Sequence, residues 1–496
     1  MEAGGWSSDK ASPPPPSSPR AAAPAAAAAA PPPPTSPSAA AAATTAASPP
    51  PPTSPPAAAV AAAASPPPPT SPSAAAAATS SPPRTSPRTA EQEAAAVAVP
   101  TWDDVPDNIL VSVSAFLPCR ADRVHMACVN RLWRAAVLGL RRPPPPVLPP
   151  LPPLPPQLPW LILPSTEAPI FFSAIARRYY ALRGLPPDVR AARCCASADG
   201  GWLLLALDSS HAHALYNLNS GARIQVPREF RFRFPMGRAF PLVVRAATFS
   251  RPPSPEPYMI AAIVLITNRS TAAFWTEGGE SWFSTGGMFT VRPQDVIFHG
   301  GAFFFVTATE GLIAFWPVEG EEGELQLARV DYEMQARQDY LTDVDFVRGH
   351  GTMKRYLVES RGQLLMVVRY VYDEGGTEML RIFRFKLTGR LTQLTPARGL
   401  WEDLGDQLDG RMLFLGPGCS RSFEVAQYDG FQDQESTIYF LDQGFASVPS
   451  AVDNRRWYTF TDMGRYSMEG MVSTPWPPPG NRPPRFDNTP PTWWLH

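Results

Sequence analysis

Apolar positions divide the chain into regions of different period. From 101 to 140 they recur as on a helix: Ile109, Leu110, Val113, Phe116 and Leu117 fall at i, i+1, i+4, i+7 and i+8. That spacing predicts one stripe of a 3.6-residue period. Asp103, Asp104 and Asp107 sit where a helix N-terminus favours negative charge, and Pro106 suits the first helical position. Pro118 ends this helix. Val124 and Cys128 put a stripe on a short second helix. Trp133, Ala136, Val137 and Leu140 put one on a third, which the proline run at 143–146 ends. From Trp160 to about Val472 the pattern is strand-like, with short β-rich apolar runs bounded by Gly, Pro, Asp and Ser.

Several of these runs start on glycine: Gly201-WLLLAL, Gly301-AFFFV, Gly362-QLLMVV and Gly410-RMLFLG. A similar run, 258–265, follows a Pro-rich turn. Second strands follow most of them, at 213–218, 272–275, 311–318 and 380–387. The starts recur every ~40–60 residues, the range of β-propeller blades. The expectation is a propeller of five to seven blades, with a pair of packed β-sandwiches as the alternative. The run-in after Trp160 supplies another blade or closes the ring with C-terminal strands such as RRWYTFTD, 455–462.

Outside these regions composition takes over. Proline accounts for 63 of 496 residues, and the excess is concentrated. Residues 1–100 form a low-complexity Ala/Pro tail. PPPPTSP begins at Pro31, Pro49 and Pro66, and no charged residue lies between Ala21 and Ser80. Proline blocks interrupt each alanine run before a helix nucleates, so disorder with local polyproline II character is expected. Its Ser-Pro steps are either phosphorylation sites or a drifting repeat without function. Residues 143–159 read as a semi-rigid proline spacer of ~3.1 Å per residue, or as an SH3 or WW ligand. Residues 473–496 read as a Pro/Trp-rich tail. Net charge is −1, so no global field draws the chain to nucleic acid or anionic lipid. Five cysteines without CxxC pairing suit a reduced, intracellular protein of nucleus or cytoplasm. The longest apolar run, Met259–Ile266, is far short of the ~20 residues of a membrane helix, and no secretory h-region opens the chain.

Candidate chemistry is sparse. His211 and His213 would share a strand face, with no third metal ligand evident, so a solvated hairpin is the simpler reading. Asp343 and Asp345 could face one way on a strand as paired carboxylates or form a polar sheet edge. Residues 349–354 lack the P-loop ending, and no GxSxG, HExxH or CxxC is present. No catalytic, cofactor or metal residue is assigned. Phe230, Arg231, Phe232, Arg233 and Phe234 alternate as a half-buried strand with a solvated Arg face. A partner-binding edge is the second reading, and single-stranded nucleic acid a weaker third.

Two family resemblances rest on these residues. Trp102, Val105-Pro106, Ile109, Leu110, Phe116, Leu117, the Asp122 region and Val129-Asn130-Arg131-Leu132-Trp133-Arg134 resemble an F-box. Val105 stands for the usual Leu and Asn130 for the usual Cys. An ordinary helical hairpin packed on the next domain is the alternative. QLPWLILPS, GWLLLALD, DVIFHGGAFFFVTATEGLIAFW and LVESRGQLLMVVRYV resemble plant F-box proteins that carry domain of unknown function 295. With the composition of the tails and linker, they imply an α+β multidomain chain: a disordered tail (1–100), a three-helix F-box (101–142), a proline linker (143–159), an all-β propeller-like domain (160–472) and a C-terminal tail (473–496).

The F-box resemblance implies a non-enzymatic substrate receptor of a cullin–RING ubiquitin ligase. Trp102, Val105, Pro106, Ile109, Leu110, Leu117, Val129 and Trp133 would contact a Skp-family adaptor, and through it cullin. The propeller would hold a target protein. Readings of other kinds are a propeller enzyme or sugar-binding module with a vestigial F-box, and an F-box protein that only sequesters its partners.

Overall fold

The strands assemble into six blades around one axis. A computed structural model describes residues 102, 105–138, 157–441, 462–477 and 491–495, apart from short stretches within them. Blade 1 holds β1 (Trp160–Leu163), β2 (Ile170–Ser173) and β3 (Arg178–Ala181). Blade 2 holds β4 (Arg193–Ala198), β5 (Trp202–Ala206), β6 (His213–Asn217) and β7 (Arg223–Val226). In blade 3, β8 (Glu229–Phe232) and β9 (Ala239–Pro241) lie at the edge beyond β10 (Val243–Phe249), β11 (Met259–Ile266), β12 (Arg269–Thr276) and β13 (Trp282–Ser284). Blade 4 is β14 (Pro293–His299), β15 (Ala302–Thr307), β16 (Leu312–Glu319) and β17 (Leu325–Asp331). Blade 5 adds β18 (Glu333–Gln335) to the edge of β19 (Gly351–Ser360), β20 (Gln363–Tyr372), β21 (Gly376–Gly389) and β22 (Arg398–Asp403). Blade 6 is β23 (Arg411–Leu415), β24 (Arg421–Glu424), β25 (Thr437–Phe440), β26 (Gly464–Ser467) and β27 (Val472–Pro475). β24 is its innermost strand.

The recurring glycine-led runs are the second strands from the axis. β5, β15, β20 and β23 are covered on both faces by neighbouring blades, so nearly every position is apolar instead of every second one. The glycines belong to tight turns. Gly300-Gly301 and Arg361-Gly362 both have two positive-φ residues in succession, the geometry of a type I′ hairpin turn.

The C-terminal segment is not a tail. Thr492–Trp494 forms β28, the inner strand of blade 1, with Trp160 opposite Trp494. Trp493 is fully buried and donates from Nε1 to the Leu415 carbonyl at 2.8 Å, in blade 6. The Leu495 N–H donates to Ser197 Oγ at 2.9 Å, in blade 2. These residues therefore tie three blades together. Proline-rich composition hid a strand whose two tryptophans carry most of the contact. Residues 455–461, expected to close the ring, lie outside the described residues, as do 1–100 and most of the proline spacer.

At the axis the turn Gly416–Ser420 reaches inward from blade 6. The Gly418 N–H donates to Asp295 Oδ1 at 2.7 Å, and a Cβ at Gly418 would meet the Ala247 carbonyl oxygen at 2.1 Å. Only glycine permits so close an approach.

Residues 95–496 form one compact unit that includes three short helices, α1 (Asp107–Phe116), α2 (Arg120–Cys128) and α3 (Arg131–Val137). Their own core has three fully buried apolar residues, Leu110, Met126 and Ala136. So small a core needs outside support, and blade 1 supplies it. Cys119 and Ala121 are buried among Trp160, Phe171 and Trp494. The Arg120 guanidinium lies 5.8 Å from the Trp494 ring centre, and the Arg120 N–H donates to Gln157 Oε1 at 2.9 Å. The helices thus sit directly on the propeller. A stiff spacer holding them at a distance, expected from residues 143–159, is not how they are placed.

Candidate interaction surfaces

The apolar stripe of α1 is wider than its core, and the helix splits it. Leu110 is 1% exposed and points inward, with Val111 and Leu117 packed beside it. Ile109, Val113 and Phe116 follow at i, i+4 and i+7 and are 48%, 42% and 74% exposed. This row shares one face and is exposed. Pro106 is exposed and is the N-cap residue of α1 instead of its first helical position. Val105 is half-buried against the helical core.

α3 is capped by Asn130, whose side chain accepts from the Trp133 N–H at 2.9 Å. The departure from the usual Cys therefore has a local use. Trp133 is half-buried and donates from Nε1 to the Trp102 carbonyl at 3.1 Å. The two indoles meet edge to face at 6.0 Å, leaving Trp102 largely exposed. Val129 is exposed. On α2 the expected stripe is reversed: Val124 and Cys128 face solvent, while Ala121 and Met126 are buried.

The expected adaptor-contact set thus divides. Trp102, Pro106, Ile109 and Val129 are exposed, Val105, Leu117 and Trp133 are half-buried, and Leu110 is core. Leu110 cannot meet a partner without unpacking the helices, because its side chain fills the middle of them. Val113 and Phe116 belong with the exposed group. Their signal was present in the stripe itself, which carried more apolar positions than a forty-residue unit can cover.

In the second expected stretch Phe230 and Arg231 alternate in and out, as for a half-buried strand with a solvated Arg face. Phe230 is fully buried between blades 2 and 3, where its strand pairs in parallel with β13. Arg231 points outward, 3.8 Å from Glu229. Phe232 continues β8, and Arg233 lies outside the described residues.

Asp343 is in a helical turn instead of a strand, and Asp345 is outside the described residues. The Asp343 carboxylate accepts from Tyr370 Oη at 2.7 Å and pairs with Arg337. Arg337 also binds Glu310 at 2.6 and 2.8 Å, and Arg355 Nε donates to Glu310 at 3.1 Å. Burial alone would lower the Arg337 pKa; the Glu310 and Asp343 carboxylates overturn that and hold it above its ordinary value. These carboxylates are occupied in joining blades 4 and 5.

At the axis, burial pushes the Asp295 carboxyl up to about 7. Backbone N–H groups of Leu357, Gly418 and Val296 oppose the shift. Burial also raises the thiols of Cys194 and Cys419, the latter to about 12, which leaves both in the unreactive protonated form. His213 is buried in β6, and His211 lies outside the described residues. Among the described residues no cluster of His, Cys, Asp and Glu is arranged to hold a metal, and no helix is long and apolar enough to cross a membrane.

No curated protein matches the chain. Among solved structures, the BBS1N domain crystallised with ARL6DN is 12% identical, with 47% of this chain and 75% of that one covered and a TM-score of 0.24. A functionally unknown protein from Desulfotomaculum acetoxidans is 12% identical over 44% of this chain and 61% of its own, at 0.25. The Cps50 (Swd1) β-propeller domain of Myceliophteria thermophila is 11% identical over 51% and 71%, at 0.24. Sequence gives the firmer placement. Residues 171–467, more than half of the chain, match the KIB1-4 beta-propeller. That span runs from β2 into β26 and leaves the three helices and β28 outside. The chain belongs to the KIB1-4 beta-propeller family.

Proposed function

We propose that this chain is the substrate receptor of an SCF-type cullin–RING ubiquitin ligase. In this reading it is one of the plant F-box proteins that carry domain of unknown function 295. The helices would bind the Skp-family adaptor and, through it, cullin. The propeller, an architecture consistent with protein interaction, would hold a target. Ubiquitin transfer would be carried out by other subunits and favoured by proximity, in the nucleus or cytoplasm.

The observation that carries the reading is the outward row Ile109, Val113 and Phe116 on α1, together with exposed Trp102. The row is apolar, contiguous and exposed. Interface energy concentrates in a few such anchors, and truncating one typically costs ~2 kcal/mol, about 30-fold in affinity. The test is adaptor binding by purified full-length protein. Ile109→Ala with Phe116→Ala should weaken it by at least that factor while the melting temperature stays put. Wild-type binding that survives the double substitution unchanged would sink the proposal. Leu110→Ala is unsuitable as a contact probe, because it acts through the helical core.

A further inference from the structure

The inner strands β4, β10, β14 and β19 are neighbours around the axis. Hydrogen bonds from the N–H groups of Arg355 and Leu357 to the side chains of Gln294 and Asp295 show β14 and β19 running in the same direction. Arg193 Nη2 reaches the Val244 carbonyl at 2.7 Å, which joins the start of β4 to the start of β10. All these strands therefore begin at one mouth of the channel. Three arginines stand there, one per blade: Arg193 opens β4, Arg245 is the third residue of β10, and Arg292 immediately precedes β14.

Arg245 occupies a β-bulge, where the register slips between Val244 and Ala246. Bulges re-aim side chains. Among the described residues none of the three forms a salt bridge with a carboxylate. Arg355 and Arg337, beside the same mouth, are neutralised by Glu310 and Asp343. Burial lowers the Arg245 pKa, and the charges of Arg292 and Arg193 lower it further. Like charges held close by a rigid ring repel, and an anion relieves that repulsion. Asp295, the third residue of β14, is buried and committed to the backbone of Leu357 and Gly418.

We propose that this mouth binds a phosphate monoester, with Arg193, Arg245 and Arg292 as its ligands, presented by a phosphorylated segment of the target protein. The inference rests on the target-holding role proposed for the propeller. Guanidinium groups bind phosphate oxygens in bidentate fashion. A three-residue arc on a chain of net charge −1 suits one phosphate group, not a tract of backbone phosphates.

The test uses immobilised full-length protein and a degenerate peptide pool with one fixed phosphoserine. Its unphosphorylated twin, inorganic phosphate and a single-stranded oligodeoxynucleotide serve as comparison probes. Wild type should retain the phosphorylated pool about tenfold or more over the twin, less so as salt rises. Arg292→Gln and Arg245→Gln should each lower retention about tenfold. Arg361→Gln, at the opposite mouth and paired with Glu424, should leave it unchanged. Arg245 is half-buried and its loss could disturb the fold, so exposed Arg292 carries the result. Equal retention of the twin, indifference to Arg292→Gln, preference for the oligonucleotide, or complete displacement by equimolar inorganic phosphate would each overturn the proposal. Arginine-dependent retention without adaptor binding would leave this site standing and remove the ligase role; the reverse result would remove the site alone.

Discussion

Two rows of apolar side chains look alike in sequence and have opposite fates. On β15, Ala302 to Val306 are all buried, between the neighbours of blade 4 and the adjoining blades. On α1, Ile109, Val113 and Phe116 stand in water. Exposed apolar residues are common singly, but a contiguous row on a small module marks a contact surface. The contrast shows that an apolar stripe predicts contact without naming the other side. In a propeller the other side is the next blade, supplied by the same chain. In the helices only part of it is supplied.

Four perturbations test that contrast. The largest effect is expected at the ring closure. Trp493→Ala should destabilise the propeller by about 3–5 kcal/mol, the usual loss for a buried Trp. Chemical denaturation followed by tryptophan fluorescence should show one earlier transition. Because Trp494 also seats α2, the helices should loosen with it, and amide exchange in 107–137 would report this.

Leu110→Ala should cost about 2–5 kcal/mol, but locally. Amide exchange should quicken across α1–α3 while blades 2–6 keep their protection. Uniform quickening would mean that helices and propeller unfold as one unit.

A third effect, one of pH, belongs to the propeller alone. The Asp295 pKa is raised in the folded state from its ordinary 3.8 to about 7, so the folded protein holds a proton that the unfolded chain has released. Its contribution to stability is fully present below about pH 4 and is lost as pH rises through about 7. Asp295→Asn should flatten the stability–pH curve over that window. A wild-type curve with no downward component there would contradict the assignment.

The smallest effect is expected on the outward row. Phe116→Ala should change the melting free energy by no more than about 0.5 kcal/mol, as for exposed sites generally. A loss of 2 kcal/mol would mean that the row is packed in solution and not available to a partner.

Much of this is legible in the sequence itself. The doubly covered second strands announced themselves as apolar runs with turn glycines, and their spacing bracketed the blade. The count could not be fixed, since β10 and β11 of blade 3 meet through a Pro-rich turn and β8 and β9 join that blade from the preceding segment. The helices were legible as a period, but which side of α1 faced inward was not. Six apolar positions on ten residues fit two faces, and packing against α2 and α3 chose between them. The latch at Thr492–Trp494 was hidden by its prolines. The arginine arc was invisible locally, because its members lie about 50 residues apart, one blade period. Only the closed ring makes them neighbours.

The pairing of Trp160–Leu163 with Thr492–Trp494 has a consequence for how the protein is made. On the ribosome, blades 2 to 5 can stack in the order they emerge, each on the one before. Blade 1, although synthesised first, waits with an open edge until 492–494 have left the exit tunnel, and closing so long a loop is slow. Until then α2 has no Trp494 to rest on. A product that terminates early therefore displays an unpaired strand edge and a loosely held helical module. Such a product differs from the closed ring in what a chaperone or protease can grip.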